Sequence, residues 1–156
     1  MIIVHCAAAL IPLWLAGCAT SPGDQPLASV AETEASPRDP LSQRISYYAD
    51  AYDVPESLVR RSIQIESGFN PNRRHGPFWG LMQIRPDTAR TMGYQGPARG
   101  LLDADTNLKY AVAYLSNAYV VADGNPDRAL GLYASGYFYE ARRKGLLQRL
   151  RTARDE

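Results

Sequence analysis

Beyond Leu41 the apolar residues of this chain return at helical intervals, setting out a series of helices joined by turns. Ile45, Tyr48, Ala49 and Tyr52 recur in this way and predict an amphipathic helix from about Leu41 to about Asp53, with Ser42 available as its N-cap. A second helix is expected after Asp53-Val54-Pro55-Glu56, because Pro55 suits a first helical turn and Glu56 suits the positive end of the dipole. In it Val59, Ile63 and Glu66 share one face, and Gly68 is placed to end the helix, so Glu66 falls in the last turn. Pro86-Asp87 opens a further helix, and Gly93-Tyr94-Gln95-Gly96-Pro97 is turn material. Asp103 or Asp105 caps a long helix on which Leu108, Ala111, Val112, Leu115, Tyr119 and Ala122 keep helical spacing; this is the expected central helix of the core. Gly124-Asn125-Pro126-Asp127 turns the chain into another helix, and the aromatic and basic residues from Tyr137 to Lys144 predict a terminal one.

Upstream of Leu41 the pattern is different. Residues 1–17 are an apolar run broken by Pro12, too short for a comfortable membrane span of about 20 residues, and they read as a signal peptide. Leu15-Ala16-Gly17-Cys18 resembles the bacterial lipobox, which implies that Cys18 carries the lipid anchor; Ala19 and Thr20 after it favour the outer membrane by resemblance to Gram-negative lipoproteins. Residues 18–40 are rich in Ser, Pro, Ala and acidic side chains and lack apolar periodicity, as a flexible tether does. The expected organisation is therefore a lipoprotein signal peptide (1–17), a tether (18–40) and a single catalytic domain (41–156).

Composition changes this picture in three respects. The net charge of +1 conceals an asymmetry, since the first basic residue is Arg38 and Arg is frequent from Arg60 onward. A basic, Tyr-rich domain fits several polyanions, but no nucleic-acid motif accompanies the charge, so no nucleic-acid partner is expected. The only cysteines, Cys6 and Cys18, and one of the two histidines, His5, lie in the leading apolar segment; beyond it His75 stands alone, which leaves no disulfide, no Cys or His metal cluster and no expected cofactor.

Glu66 is the residue of chemical interest. An apolar face and the negative end of a helix dipole both favour its protonated form, the form a general acid needs in order to protonate a glycosidic oxygen. The competing reading is a solvated glutamate at a frayed helix end, and periodicity alone does not choose between them.

Glu66-Ser67-Gly68-Phe69-Asn70-Pro71, then Gly80-Leu81-Met82-Gln83-Ile84, then Pro86 with Thr88-Ala89, resembles the soluble-type lytic transglycosylase domain, a relative of goose-type lysozyme. The resemblance runs from about Leu41 to about Phe138. It implies an all-α, mainly α-helical, lysozyme-like fold and cleavage of the β-1,4 bond between N-acetylmuramic acid and N-acetylglucosamine in peptidoglycan. By the same resemblance Glu66 acts as acid and then base, and the muramoyl 6-hydroxyl attacks to leave a 1,6-anhydro end. One carboxylate suffices for that reaction, whereas a two-carboxylate glycosidase would need a partner about 5 to 9.5 Å away; Asp87, Asp103 and Asp105 all read as helix-start residues. Carried over by position, Met82 and Gln83 line the groove floor, although Met82 suits the core equally, and Tyr133 in Leu132-Tyr133-Ala134-Ser135-Gly136 stands near the carboxylate. Asn107 is expected to be structural.

The chain departs from the family pattern in two places. Arg73 to Trp79 replaces the usual Ser and Gly-Ala segment, so His75 is a candidate for the Ser contact, while Phe78 and Trp79 either stack on sugar faces or pack under the loop. The family Asn falls on Ala134. The resulting expectation is a monomeric, lipid-anchored periplasmic enzyme acting on peptidoglycan glycan strands; service within an envelope complex, a hydrolytic muramidase and a catalytically silent glycan-binding module remain open.

Overall fold

A computed structural model describes residues 39–153; the leading apolar segment with Cys18 and the expected tether as far as residue 38 lie outside the described residues, while Asp39 and Pro40, counted with the tether above, belong to the first helix. The first helix, α1 (Pro40–Ala51), starts one step earlier than the sequence indicates, because Asp39 rather than Ser42 is the cap: its carboxylate accepts from the Ser42 N–H at 3.0 Å and Pro40 takes the first helical turn. Pro55 likewise stands just outside α2 (Glu56–Glu66), at its N-cap. The buried Val59 and Ile63 bear out the predicted inner face of α2. Ser67 caps its C-terminus, and Gly68, at φ +61°, turns its N–H back to the carbonyls of Ile63 (3.1 Å) and Gln64 (3.2 Å).

The segment expected as a loop is a small antiparallel hairpin of β1 (Arg74–His75) and β2 (Phe78–Trp79), with Arg74 opposite Trp79 and His75 opposite Phe78. Gly76, at φ +56°, occupies the first position of its two-residue turn, where Gly is favoured. Among the described residues this is the one sheet, and the rest of the ordered structure is helical.

Two short elements, α3 (Pro86–Thr91) and a 3-10 turn (Ala98–Leu102), lead to α4 (Ala104–Val121). Asp103 is its cap, accepting from the Thr106 N–H at 2.8 Å, whereas Asp105 ion-pairs with Arg44 of α1. α4 is the central helix: α1, α3, α5 (Pro126–Ser135) and the 3-10 turn all pack on it. That explains why it buries polar Asn107, Ser116 and Asn117 beside the apolar residues, since a helix surrounded on most sides has little solvent face. The terminal helix α6 (Phe138–Arg143) is only six residues long; Tyr137 is buried before it, while Phe138 and Tyr139 face solvent. The tail then returns to the core, where the buried side chain of Asn117 donates to the Arg151 carbonyl (2.8 Å) and accepts from the Arg151 N–H (2.9 Å).

Candidate active site

Gly80 to Ile84 forms a loop closed on itself. The Trp79 N–H donates to the Ile84 carbonyl (3.1 Å) and the Ile84 N–H returns the bond (3.2 Å). Leu81, Met82 and Ile84 are buried beneath it. Asn107 of α4 plugs its mouth: its amide donates to the carbonyls of Trp79 (2.9 Å) and Leu101 (2.8 Å) while its oxygen accepts from the Met82 N–H (2.9 Å). Asn107 is thus structural, as expected. The closeness of this plug makes Gly80 obligatory, because a Cβ there would lie 2.2 Å from the Leu101 carbonyl oxygen and 2.3 Å from the Asn107 amide nitrogen.

Next to this loop lies a cleft of about 510 Å³. One side is Ile65 and Glu66 at the end of α2, another is Arg73, His75 and Phe78 of the hairpin region, and the far side is Tyr114 of α4 with Tyr133 to Gly136 at the end of α5. Glu66 is the only carboxylate among the lining residues. Burial raises its pKa above the usual carboxylate range, and the positive charge of Arg73 acts in the opposite direction. The sequence-predicted residues Glu66, Gln83, Phe78 and Tyr133 come together here, joined by His75.

Two predicted residues are placed elsewhere. Met82 is 0% exposed, so its side chain belongs to the core; what it presents toward α5 is its carbonyl, which accepts from the Tyr133 hydroxyl at 2.7 Å. Trp79 does not line the cleft, and the Arg74 guanidinium lies over its ring at 4.2 Å from the centroid, an arrangement that follows from their pairing across the hairpin. Cys18 lies outside the described residues.

Gln83 is held more tightly than its position in a turn suggests. Its backbone is at φ +47°, a conformation unfavourable for a side-chain-bearing residue, and its amide nitrogen donates to the carbonyls of Arg73 (3.0 Å) and Gly80 (2.8 Å). Both amide hydrogens are committed, so the oxygen is the atom left to meet a ligand. Gln83 is thus set to accept from a hydroxyl or an N–H. Tyr133 is buried, and burial first, then the nearby charge of Glu66, pushes its phenol well above the ordinary value. It remains protonated, with its hydrogen given to Met82.

Several cleft residues escaped sequence reasoning. Ile65 is 62% exposed beside Glu66 and Tyr114 stacks edge-on to Tyr133, with ring centroids 5.5 Å apart. An isoleucine breaking the inner face of α2 and a tyrosine repeating Tyr110 one turn on were the available signals. Among the described residues no group of three or more His, Cys, Asp or Glu is placed to hold a metal ion.

Comparison with known proteins adds the following. A family profile described as "Transglycosylase SLT domain" matches residues 43–152. A curated relative from Klebsiella pneumoniae (strain 342), membrane-bound lytic murein transglycosylase C, is 37% identical over 86 residues, covering 48% of this chain and 24% of the relative. The chain therefore matches only a small part of that protein's length. No solved structure matches the chain.

Proposed function

Since the chain belongs to the transglycosylase SLT family, we propose that it cleaves the β-1,4 bond between N-acetylmuramic acid and N-acetylglucosamine of peptidoglycan as a lytic transglycosylase, with Glu66 as general acid and base. The observation that carries this reading is the solitary, half-buried carboxylate in the cleft wall. A second acid across the cleft, as a two-carboxylate hydrolase requires, is not among the lining residues; Asp87 turns to Arg90 at 2.8 Å instead.

Glu66, protonated, gives its proton to the bridging oxygen as the bond from the muramoyl anomeric carbon to that oxygen breaks. The carboxylate then takes the proton of the muramoyl 6-hydroxyl while that oxygen bonds to the anomeric carbon. The 1,6-anhydro ring closes and Glu66 is restored, with no water consumed. The two opposed influences on Glu66 suit the two halves: burial favours the protonated acid, and Arg73 favours the carboxylate that follows. The oxygen of Gln83 and the apolar side chains of Ile65 and Phe78, both exposed at the cleft, supply the hydrogen-bonding and stacking contacts a sugar needs. The name of the curated relative, a membrane-bound murein enzyme, accords with a cell-envelope location and with a lipid anchor at Cys18, both of which are part of the proposal.

Digesting purified sacculi with the protein and analysing the fragments by mass spectrometry tests the reaction. Anhydro ends are expected. Reducing ends would make the protein a hydrolase, and intact sacculi that nonetheless retain the protein would make it a binding module. For the anchor, incorporation of a labelled fatty acid is expected to disappear in Cys18→Ser.

A further inference from the structure

The short helix α6 turns one face to the core and leaves the other without a covering. Tyr137, just before it, and Ala141, one turn later, are buried. On the opposite side Phe138 is 55% exposed and Tyr139 83% exposed, their ring centroids 5.6 Å apart. Arg142 and Arg143 each follow one of these aromatics by four residues, so they share its face, and both are exposed.

The charge of this region is strongly positive. Residues 138–151 carry five cationic side chains and one carboxylate, that of Glu140. Glu140 is occupied elsewhere: its side chain is only 17% exposed, is engaged by Arg128 of α5 and lies 3.7 Å from Lys144. Arg143 approaches it no closer than 3.8 Å, and Arg142 forms no ion pair among the described residues.

We propose that this face docks on an anionic lipid surface, the two rings entering the headgroup layer while Arg142 and Arg143 lie against lipid phosphates. Aromatic rings beside cations are what a bilayer interface selects, because the rings gain an apolar layer and the guanidinium groups meet negative charge. Size argues against a protein partner. A six-residue helix is about 9 Å long, far short of the face needed to bury about 800 Å² per partner. A tethered domain needs no such area, since a lipid at Cys18, proposed above, keeps the bilayer at high effective concentration. Only Tyr137 separates α6 from Gly136 of the cleft, so docking here holds the cleft at a fixed angle to the membrane. The proposal is independent of the reaction assigned to Glu66.

The test reconstitutes the full chain in lipid nanodiscs whose headgroups carry a spin label, and reads the broadening of each backbone amide by NMR. In discs containing phosphatidylglycerol, the amides from Phe138 to Arg143 should broaden well beyond those of the rest of the domain. This excess should vanish in neutral phosphatidylcholine discs and at high salt. Combining Arg142→Gln with Arg143→Gln should weaken docking about tenfold or more, each arginine near an anionic surface contributing about fivefold. Phe138→Ser with Tyr139→Ser should weaken it as well. All four side chains are exposed, so both double variants should keep the wild-type spectrum of α4. An anchor that merely holds the domain near the disc broadens its whole surface evenly. Even broadening, or an excess at α6 that persists in phosphatidylcholine and in the arginine variant, would overturn the proposal. So would α6 amides that shift with protein concentration and not with lipid, which would give the face to a second copy of the chain.

Discussion

Glu66 combines two environments that pull its proton in opposite directions, and the consequences can be measured. Between the ordinary glutamate range and its raised value in the folded protein, the native state holds a proton that the unfolded chain releases. Stability contributed by this group is thus fully present below the ordinary value and is lost as pH rises through the raised one. Glu66→Gln, always neutral, should unfold at a modestly higher temperature than wild type at pH 7, with the difference closing at pH 3; equal midpoints at both values would mean that Glu66 is no more buried than a surface acid. The same substitution should lower anhydro release by about 10²–10⁴-fold or more, the usual contribution of a positioned acid–base group. Activity should fall as pH rises through the raised pKa, because the first step needs the protonated acid. Replacing Arg73 by Met removes the charge that favours the carboxylate, so this falling limb should move to higher pH in the pH–rate profile.

At the scale of elements, the site depends on one loop and the helix that plugs it. Gly80 cannot accept a Cβ without meeting three atoms, one of them backbone, and it sits at φ +75°. Gly80→Ala should therefore cost about 3 kcal/mol or more in urea unfolding, combining left-handed strain with overpacking. Asn107→Ala strands a buried N–H and removes a partner from two carbonyls, at about 1–3 kcal/mol for each group left unsatisfied. Both should depress activity further than stability accounts for, since Gln83 hangs from the same loop through the Gly80 carbonyl. Sequence reasoning reached the helices here because burial on one face writes a period into the chain, as in Val59, Ile63 and Glu66. It left open whether Met82 joins Gln83 in the groove; the two, adjacent in one motif, go to opposite sides of the loop, the first into the core and the second into the cleft. Adjacent residues of an irregular loop follow no period, and Gln83's positive φ is set by contacts from Arg73 and Gly80 that no spacing reveals. The Arg73–Trp79 segment was legible as a departure from the family pattern, but its hairpin pairing, which puts Arg74 rather than a sugar on Trp79, required the register.

For the molecule as a whole, the central helix ties the site to the tail. Its period predicted the core role through Leu108, Ala111, Val112 and Leu115, yet not the polar side chains it buries, because Asn117 has a partner thirty-odd residues away in a segment with no apolar pattern of its own. That one amide holds Tyr137 before α6 through a 3.0 Å bond to its hydroxyl and holds Arg151 in the tail, alongside the 2.9 Å bond from the Ala153 N–H to the Met92 carbonyl and the Arg151–Asp53 pair. Removing it should loosen the tail without unfolding the bundle: α1, α3 and α5 also pack on α4, and open segments of this kind exchange by local rather than global unfolding. In Asn117→Ala, hydrogen exchange followed by NMR should show the Arg151 and Ala153 amides losing protection, while amides in the middle of α4 keep the protection of the global fold. Retained protection at Arg151 would mean that tail packing by Leu146, Leu150 and Ala153 against the core suffices without the amide.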